Sequence, residues 1–387
     1  MSLQQEFDRS LNITRELIRI DSVNPGLVKG AVGEKPIAEF LQRFLRDEGI
    51  SAELQKVAPG RFNVISSIRG VHPGPRVLLN GHLDTVSVAG MSHPFAPLLK
   101  EGKIYGRGSQ DMKGGLAAGL AALLALSNHR NDLRGEVVFA AVADEEDLSL
   151  GTTWFLKDWS KDRPFDFALV LEPTDFKVCT AHKGFAWIKV TTYGIGAHGS
   201  RPAEGVDAIF LMGELVGELN LLDQALQNRP LHESLGSGSV HTSTIHGGQQ
   251  WSSYPDYCQL QYERRTVPPE TPFTVKTEIQ QLLEKCRRKN PQFKAVAELI
   301  CTRSPFQIAP EQAILQQFYQ TAYSHLPEQT SWGSVSFWTD AALLADAQIP
   351  TLVFGPRGAG LHSCEEYVIA SDLSICAEII YRFLTHT

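Results

Sequence analysis

Closely spaced cysteines are missing from this chain. Its six, at positions 179, 258, 286, 301, 364 and 376, never approach Cys-x-x-Cys spacing, which excludes a zinc ribbon and a disulfide framework. They read as reduced, mostly buried thiols of a cytoplasmic protein. A long apolar run is missing too: no uninterrupted stretch reaches the roughly 20 residues that span a bilayer. The opening residues, Met1-Ser2-Leu3-Gln4-Gln5-Glu6, place no basic segment before an apolar core, so neither membrane insertion nor secretion is expected. Nor is positive charge in excess. Lys and Arg total 36 against 43 Asp and Glu, a net of −7, which argues against a nucleic-acid partner. Repeats and low-complexity segments are absent. What remains is 387 residues with 43% hydrophobic content, enough for two or three domains with ordinary cores.

The chain is organised around Val77-Leu78-Leu79-Asn80-Gly81-His82-Leu83-Asp84. An apolar run that reads as a buried strand stops at Asn80-Gly81 and delivers a His and an Asp two residues apart. In extended chain alternate side chains share a face, so His82 and Asp84 point the same way. That suits an imidazole metal ligand with a carboxylate fixing its tautomer. By itself His-x-Asp is common by chance, but the arrangement recurs. Residues 136–143 form a second apolar run ending in Asp144-Glu145-Glu146-Asp147, and residues 167–171 a third ending in Glu172-Pro173-Thr174. Four acids in a row are ordinarily a solvated turn. Three strand ends that each deliver His or carboxylates instead match the place where open α/β sheets hold ligands. If the Glu145-Glu146 segment stays extended, its two side chains diverge, one free to ligate and one to face the site. The Gly-rich turn at 106–115 lacks GxxxxGK[ST] spacing and carries Asp111 where an anion would sit, so it is not a phosphate cradle.

Helical spacing at 5–20, 35–48 and 116–126 surrounds these strands. From about Lys183 the texture changes to strand 184–193, helix 205–222, strands 239–246 and 256–264, helix 273–289 and strand 293–301. That β-α-β-β-α-β order is the order of a ferredoxin-like unit. Helix 310–323, strand 350–354 and helix 371–385 then return to α/β texture. The expected architecture is one α/β domain over 1–182 and 298–387, interrupted by a smaller domain at 183–297.

Six segments carry a family resemblance: GHLDTV at 81–86, GRGSQDMKGG at 106–115, ADEE at 143–146, LEPT at 171–174, GAHGSRP at 196–202 and LHSCEEY at 361–367. In order and spacing they resemble the di-zinc amidohydrolase and peptidase family of acetylornithine deacetylase, succinyl-diaminopimelate desuccinylase, aminoacylases and the bacterial glutamate carboxypeptidase. The resemblance covers nearly the whole chain. It implies a metallopeptidase-type catalytic domain with a mixed central sheet flanked by helices, the insert acting as lid and as the dimerisation surface of a homodimer. It also implies that His82, Asp111 and Glu172 hold one metal, and that Asp111, Glu146 and His362 hold a second, with Asp111 bridging. Two divalent ions, three carboxylates and one bridging hydroxide sum to zero charge. Ligands of His and carboxylate without thiolate suit zinc, and cobalt or manganese fit the same set. Asp84 would support His82, while Glu145 would be the general base that activates the metal-bridging hydroxide and later protonates the departing amine. His198 would stabilise the oxyanion, reaching the partner subunit's site, and Arg265 would clamp a substrate carboxylate. A surface-loop His and a strand-end Arg are the competing readings of the last two.

One departure stands out: the family often carries an Asn three residues before the Pro of the lid region, and this chain has Ser252 before Pro255. Asp340 falls in a family segment and could cap a helix. Arg357, in Gly355-Pro356-Arg357-Gly358, could meet substrate or belong to a plain turn, and Cys364 reads as a packed thiol rather than a ligand. The expected function is metal-dependent cleavage of the amide of an N-acyl amino acid. An acetylornithine-like substrate is favoured because Glu172-Pro173-Thr174 and Ala181-His182-Lys183-Gly184 resemble that subgroup. A dipeptidase or carboxypeptidase of the same family is the alternative. A non-catalytic binding or assembly protein that kept the fold is the reading from a different class. Its signature would be a lost ligand or base, and none is missing.

Overall fold

The apolar run around Leu78 lies in strand His72–His82, which is buried from Arg76 to its end. In the computed structural model, which describes residues 2–88, 90–160, 163–229 and 231–386, this strand sits between Arg134–Val142 and Phe167–Val170, both parallel to it. Thr351–Val353 extends the parallel row. Arg61–Arg69 and Ala52–Ala58 continue the sheet antiparallel on one side, and Val178–His182 joins antiparallel on the other. The sheet is therefore mixed. Its parallel centre is covered on both faces, which is why those strands read as near-continuous apolar runs rather than alternating ones.

Alternation along the His82 strand assigns the two faces. A Cβ on Gly81 would meet Met112 and Leu116, so this face lies under helix Gly114–Asn128. Asn80, one residue earlier, donates to Thr152 Oγ1 at 3.1 Å and so looks toward helix Leu150–Trp159. Helix Gly114–Asn128 is buried on every side as far as Leu126 and is rich in Gly and Ala. Gly115 has no space for a side chain, since a Cβ there would lie 1.9 Å from the carbonyl oxygen of Leu171. Helices Leu3–Arg19 and Ala370–His386 pack on this central helix. Because the four central strands run the same way, the residues that follow them gather at one end of the sheet.

The chain divides into two compact units: residues up to Thr180, Ile308–Ser334 and from Thr339 onward form the first, and Ala181–Gln307 with Val335–Trp338 the second. The second is a four-stranded antiparallel sheet in the order Ser239–Gly247, Tyr257–Thr266, Gly184–Tyr193, Ala295–Arg303. Helices Ala208–Gln227 and Pro272–Lys289 cover one face, packing Leu211, Leu215 and Ile279 on Ile188, Val190 and Leu260. Phe185, Trp187 and Lys189 alternate with the buried residues and lie on the other face. Asp207 caps the first of these helices by accepting from the N–H groups of Ile209 and Phe210. Strand Ala295–Arg303 carries the sheet beyond residue 297, where sequence texture placed the end of the insert. Among the described residues no helix is long and apolar enough to cross a membrane.

Candidate active site

Four segments at the carboxyl ends of the parallel strands meet over Asp111. His82, 1% exposed, ends its strand and places Nε2 3.0 Å from Asp111 Oδ1 and 3.6 Å from Glu172 Oε1. His362 arrives from the loop after Thr351–Val353, its Nε2 3.2 Å from both Asp111 Oδ2 and Glu146 Oε2. The ligand atoms of His82, Asp111 and Glu172 lie within 4.8 Å of one another, and so do those of Asp111, Glu146 and His362. Asp111 thus belongs to both groups.

Electrostatics indicate what such a cluster needs. Burial pushes the carboxyls of Glu145 and Glu172 well up, and neighbouring acids push them further, against the pull of His82. Burial together with Asp111 raises Glu146 to about 7. Asp111 is itself held well below the usual carboxylate range: burial opposes this, but hydrogen bonds from His362 and His82 prevail. Burial would lower His82, yet its bond to Asp111 and the charges around it carry it well above the ordinary imidazole value. Asp111 and Glu146 raise His362 to about 10. Glu145 Oε1, Glu146 Oε1 and Glu172 Oε2 are buried without a hydrogen-bond partner among the described residues. Converging acids with orphaned oxygens and two imidazoles, with no thiolate among them, fit divalent cations of the zinc, cobalt or manganese type.

Buried ion pairs and hydrogen bonds hold these side chains in place. Glu366, wholly buried, accepts from Arg107 Nη1 at 2.6 Å, from the N–H groups of Gly108 and Gln110 at 2.9 Å and from that of Asp111 at 3.0 Å. It ties the loop of His362 to the turn of Asp111. The turn Ser109–Lys113 is a piece of π-helix with non-helical angles at Asp111 and Met112, and the Asp111–Met112 peptide is cis. Asp84 acts differently from the sequence expectation. His82 Nδ1 lies 2.9 Å from the backbone carbonyl of Asp84, whereas the Asp84 carboxylate is 3.6 Å away. That carboxylate instead accepts from the N–H groups of Glu145 and Glu146 at 3.1 and 3.2 Å and from Asn24 Nδ2 at 2.7 Å. It anchors the segment bearing both acids.

That segment is a turn rather than extended chain. Asp144 takes φ +70°, and its carboxylate pairs with Arg61 Nη1 at 2.7 Å and Asn24 Nδ2 at 3.0 Å. Arg61 in turn binds Glu34 through Nε at 2.8 Å. The separation of Glu145 from Glu146 comes from this turn. Asp340 does not cap helix Ala341–Asp346 with its side chain. It is 1% exposed, accepts from Thr152 Oγ1 at 2.6 Å, and its charge reaches Glu145 and Glu172. The guanidinium of Arg357 is taken by Asp372 at 2.7 and 2.8 Å. Cys364 is exposed and lines an open cavity of about 540 Å³ with His93, Leu98, Lys100 and Tyr105.

Two expected site residues belong to the second unit. His198 is exposed, and its Nδ1 pairs with Ser200 Oγ at 2.8 Å. Arg265 lies over the Phe185 ring at 5.3 Å and donates from Nε to Glu263 at 2.7 Å, while Glu263 also accepts from Trp187 Nε1 at 2.9 Å. Its two terminal NH₂ groups have no hydrogen-bond partner among the described residues.

Comparison with known proteins bears on this geometry. Residues 78–386 match the model of peptidase family M20/M25/M40. The chain is 26% identical over 381 residues to the acetylornithine deacetylase of Buchnera aphidicola subsp. Schizaphis graminum, covering 97% of each. It is 28% identical over 385 residues to that of Salmonella typhimurium, again covering 97% of each. A solved tripeptidase from Staphylococcus aureus subsp. aureus mu50 shares the fold, with a TM-score of 0.77 at 20% identity over 98% of both chains.

The proton on His362 sets a pH dependence. In the metal-free protein its pairing with Asp111 and Glu146 contributes stability that is fully present below the ordinary imidazole pKa and is lost as pH rises through about 10. A bound cation needs the neutral ring, so uptake must release that proton and affinity must rise with pH. Calorimetric titration of metal-stripped protein with zinc, in buffers of different ionisation enthalpy, reads both quantities. An affinity that stays flat between about pH 6 and 8, with no proton released, contradicts this arrangement.

Proposed function

The chain belongs to peptidase family M20/M25/M40, metal-dependent hydrolases of amide or peptide bonds, and on that premise we propose that it removes the acyl group of an N-acyl amino acid of the acetylornithine kind. One observation carries the reading: two ligand groups share Asp111, and the Glu145 carboxyl beside them has a buried oxygen that no donor claims. Similarity over the full length to acetylornithine deacetylases supports the substrate class.

In this reading His82 and Glu172 complete one metal site and Glu146 and His362 the other, with Asp111 common to both. Two divalent cations, zinc in the first instance, would supply Lewis-acid polarisation of the amide carbonyl and an acidified water. Glu145 takes the proton as the water oxygen adds to the carbonyl carbon, then returns it to the nitrogen as the C–N bond breaks, leaving a carboxylate and a free amine. Asp84 fixes the backbone of the turn that carries Glu145. His198 is assigned as a donor to the oxyanion. Arg265, with its terminal nitrogens open and Nε fixed by Glu263, is assigned to the substrate carboxylate. The second unit is assigned as the surface of a homodimer, supported by the exposed strand Ser239–Gly247 and by exposed Phe210, Ile245 and Trp251.

Replacing Glu145 by Gln is expected to lower kcat by on the order of 10²–10⁴ with metal content unchanged. Wild-type turnover in that variant would remove the base assignment. In a hydrolysis screen with added zinc, cobalt or manganese, N-acetyl amino acids should turn over faster than N-succinyl compounds or dipeptides. Dipeptides leading the screen would move the reading to a dipeptidase or carboxypeptidase. Light scattering at micromolar concentration should give twice the chain mass, and a monomer would overturn the dimer assignment.

A further inference from the structure

We infer that the opposite end of the first unit's sheet, away from His82, carries a binding site for a tetrahedral oxyanion of the phosphate type, built on Arg69, Arg76 and Arg163. Three neighbouring strands set it up. Glu136 is the Cα partner of Arg69 on one side and of Arg76 on the other, so a single carboxylate stands between two arginines in one row across the sheet. Arg163 joins from the chain after helix Leu150–Trp159. All three guanidinium groups turn to the same oxygen, Glu136 Oε2: Arg163 Nη2 at 2.7 Å, Arg76 Nε at 3.1 Å and Arg69 Nη2 at 3.8 Å.

One carboxylate does not neutralise three arginines. Among the described residues Asp166 is the other acid in contact, and its Oδ2 is engaged by the backbone N–H of Arg76 at 2.7 Å. Among the described residues, three positive charges stand against two negative there, in a chain whose net charge is −7. Arg76 is the fixed member. It is 8% exposed, lies over the Phe165 ring at 4.0 Å, and gives Nη1 to the carbonyl oxygens of Trp159 and Arg163. Burial lowers its pKa, and although Glu136 pulls the other way, Arg163 and Arg69 add to the fall.

The other two arginines have donors to spare. The side chains of Arg69 and Arg163 are 67% and 53% exposed, and among the described residues the ion-pair contact of Arg69 is longer than a hydrogen bond. They border a cavity of about 350 Å³ closed by the 69–74 turn and by Gly135. Its size admits a phosphate group, and forked guanidinium donors match the paired oxygens of such an anion. Inorganic phosphate and the phosphate of a small monoester are two sources of the same chemistry. The site uses none of the residues assigned to hydrolysis, so it stands or falls independently of that reading.

The test is calorimetric titration and thermal unfolding of the metal-loaded full chain with sodium phosphate and with glycerol phosphate, against sodium chloride of equal ionic strength. We expect saturable binding by at least one of the two, with affinity lowered about tenfold or more in the double variant Arg69→Gln/Arg163→Gln, whose hydrolytic activity stays at wild type. Single variants Arg69→Gln and Arg163→Gln keep the test open should the double variant fold poorly. Equal binding by wild type and variants, which would locate the anion elsewhere, overturns the inference. So does phosphate that acts no differently from chloride.

Discussion

Buried negative charge gathered around Asp111 is the constraint on which the site depends. Four carboxyl groups and two imidazoles converge where the parallel strands end, and several of the oxygens find no donor among the described residues. Isolated, such a cluster is costly, because each added acid raises the ionisation cost of the next. The protein places it there by spending other buried charges on positioning. Glu366 draws the Asp111 turn and the His362 loop together through one carboxylate, Asp84 fixes the Glu145-Glu146 backbone, and Arg61 with Asn24 fixes Asp144 at a positive φ. Each of these groups is itself satisfied by hydrogen bonds. In the cluster, the acids with oxygens left open among the described residues are Glu145, Glu146 and Glu172.

Topology makes the convergence possible. A parallel centre sends every strand end to one edge of the sheet, and a helix of Gly and Ala packs closely enough behind it for the Asp111 turn to sit beside the His82 strand. The second unit has its own core and its own kind of sheet, antiparallel and covered by helices on one face. Its aromatic and charged open face, with Arg265 held between Glu263 and Phe185, is suited to recognition rather than to holding a cation.

Much of this was legible in the sequence, for physical reasons. Apolar runs that stop abruptly at His82, Glu145-Glu146 and Glu172 mark parallel strands ending at a polar site, and the β-α-β-β-α-β order from residue 184 survives intact in the second unit. Asp111 follows no apolar run and comes only from the family resemblance, while His362 lies in the loop after the apolar run at 350–354 and takes its ligand role from the same resemblance. What could not be read was the support. Asn24, Glu34, Arg61 and Asp340 lie on separate segments and meet only through long-range contacts. Nothing in Glu365-Glu366 says that the second acid is wholly buried. The turn at Asp144, where extended chain was the condition for the two acids to diverge, rests on Arg61 and Asn24, which are distant in sequence. The edge strands and their antiparallel pairing were equally hidden, as Ala52–Ala58 carries a weak pattern of burial.

The central claim is that two cations share Asp111, and counting them tests it most directly. Metal analysis after equilibration of stripped protein with zinc should give two ions per chain for wild type, one for His362→Ala and none retained by Asp111→Asn. A wild-type chain that holds one ion or none, or an Asp111→Asn chain that still holds two, would contradict the account.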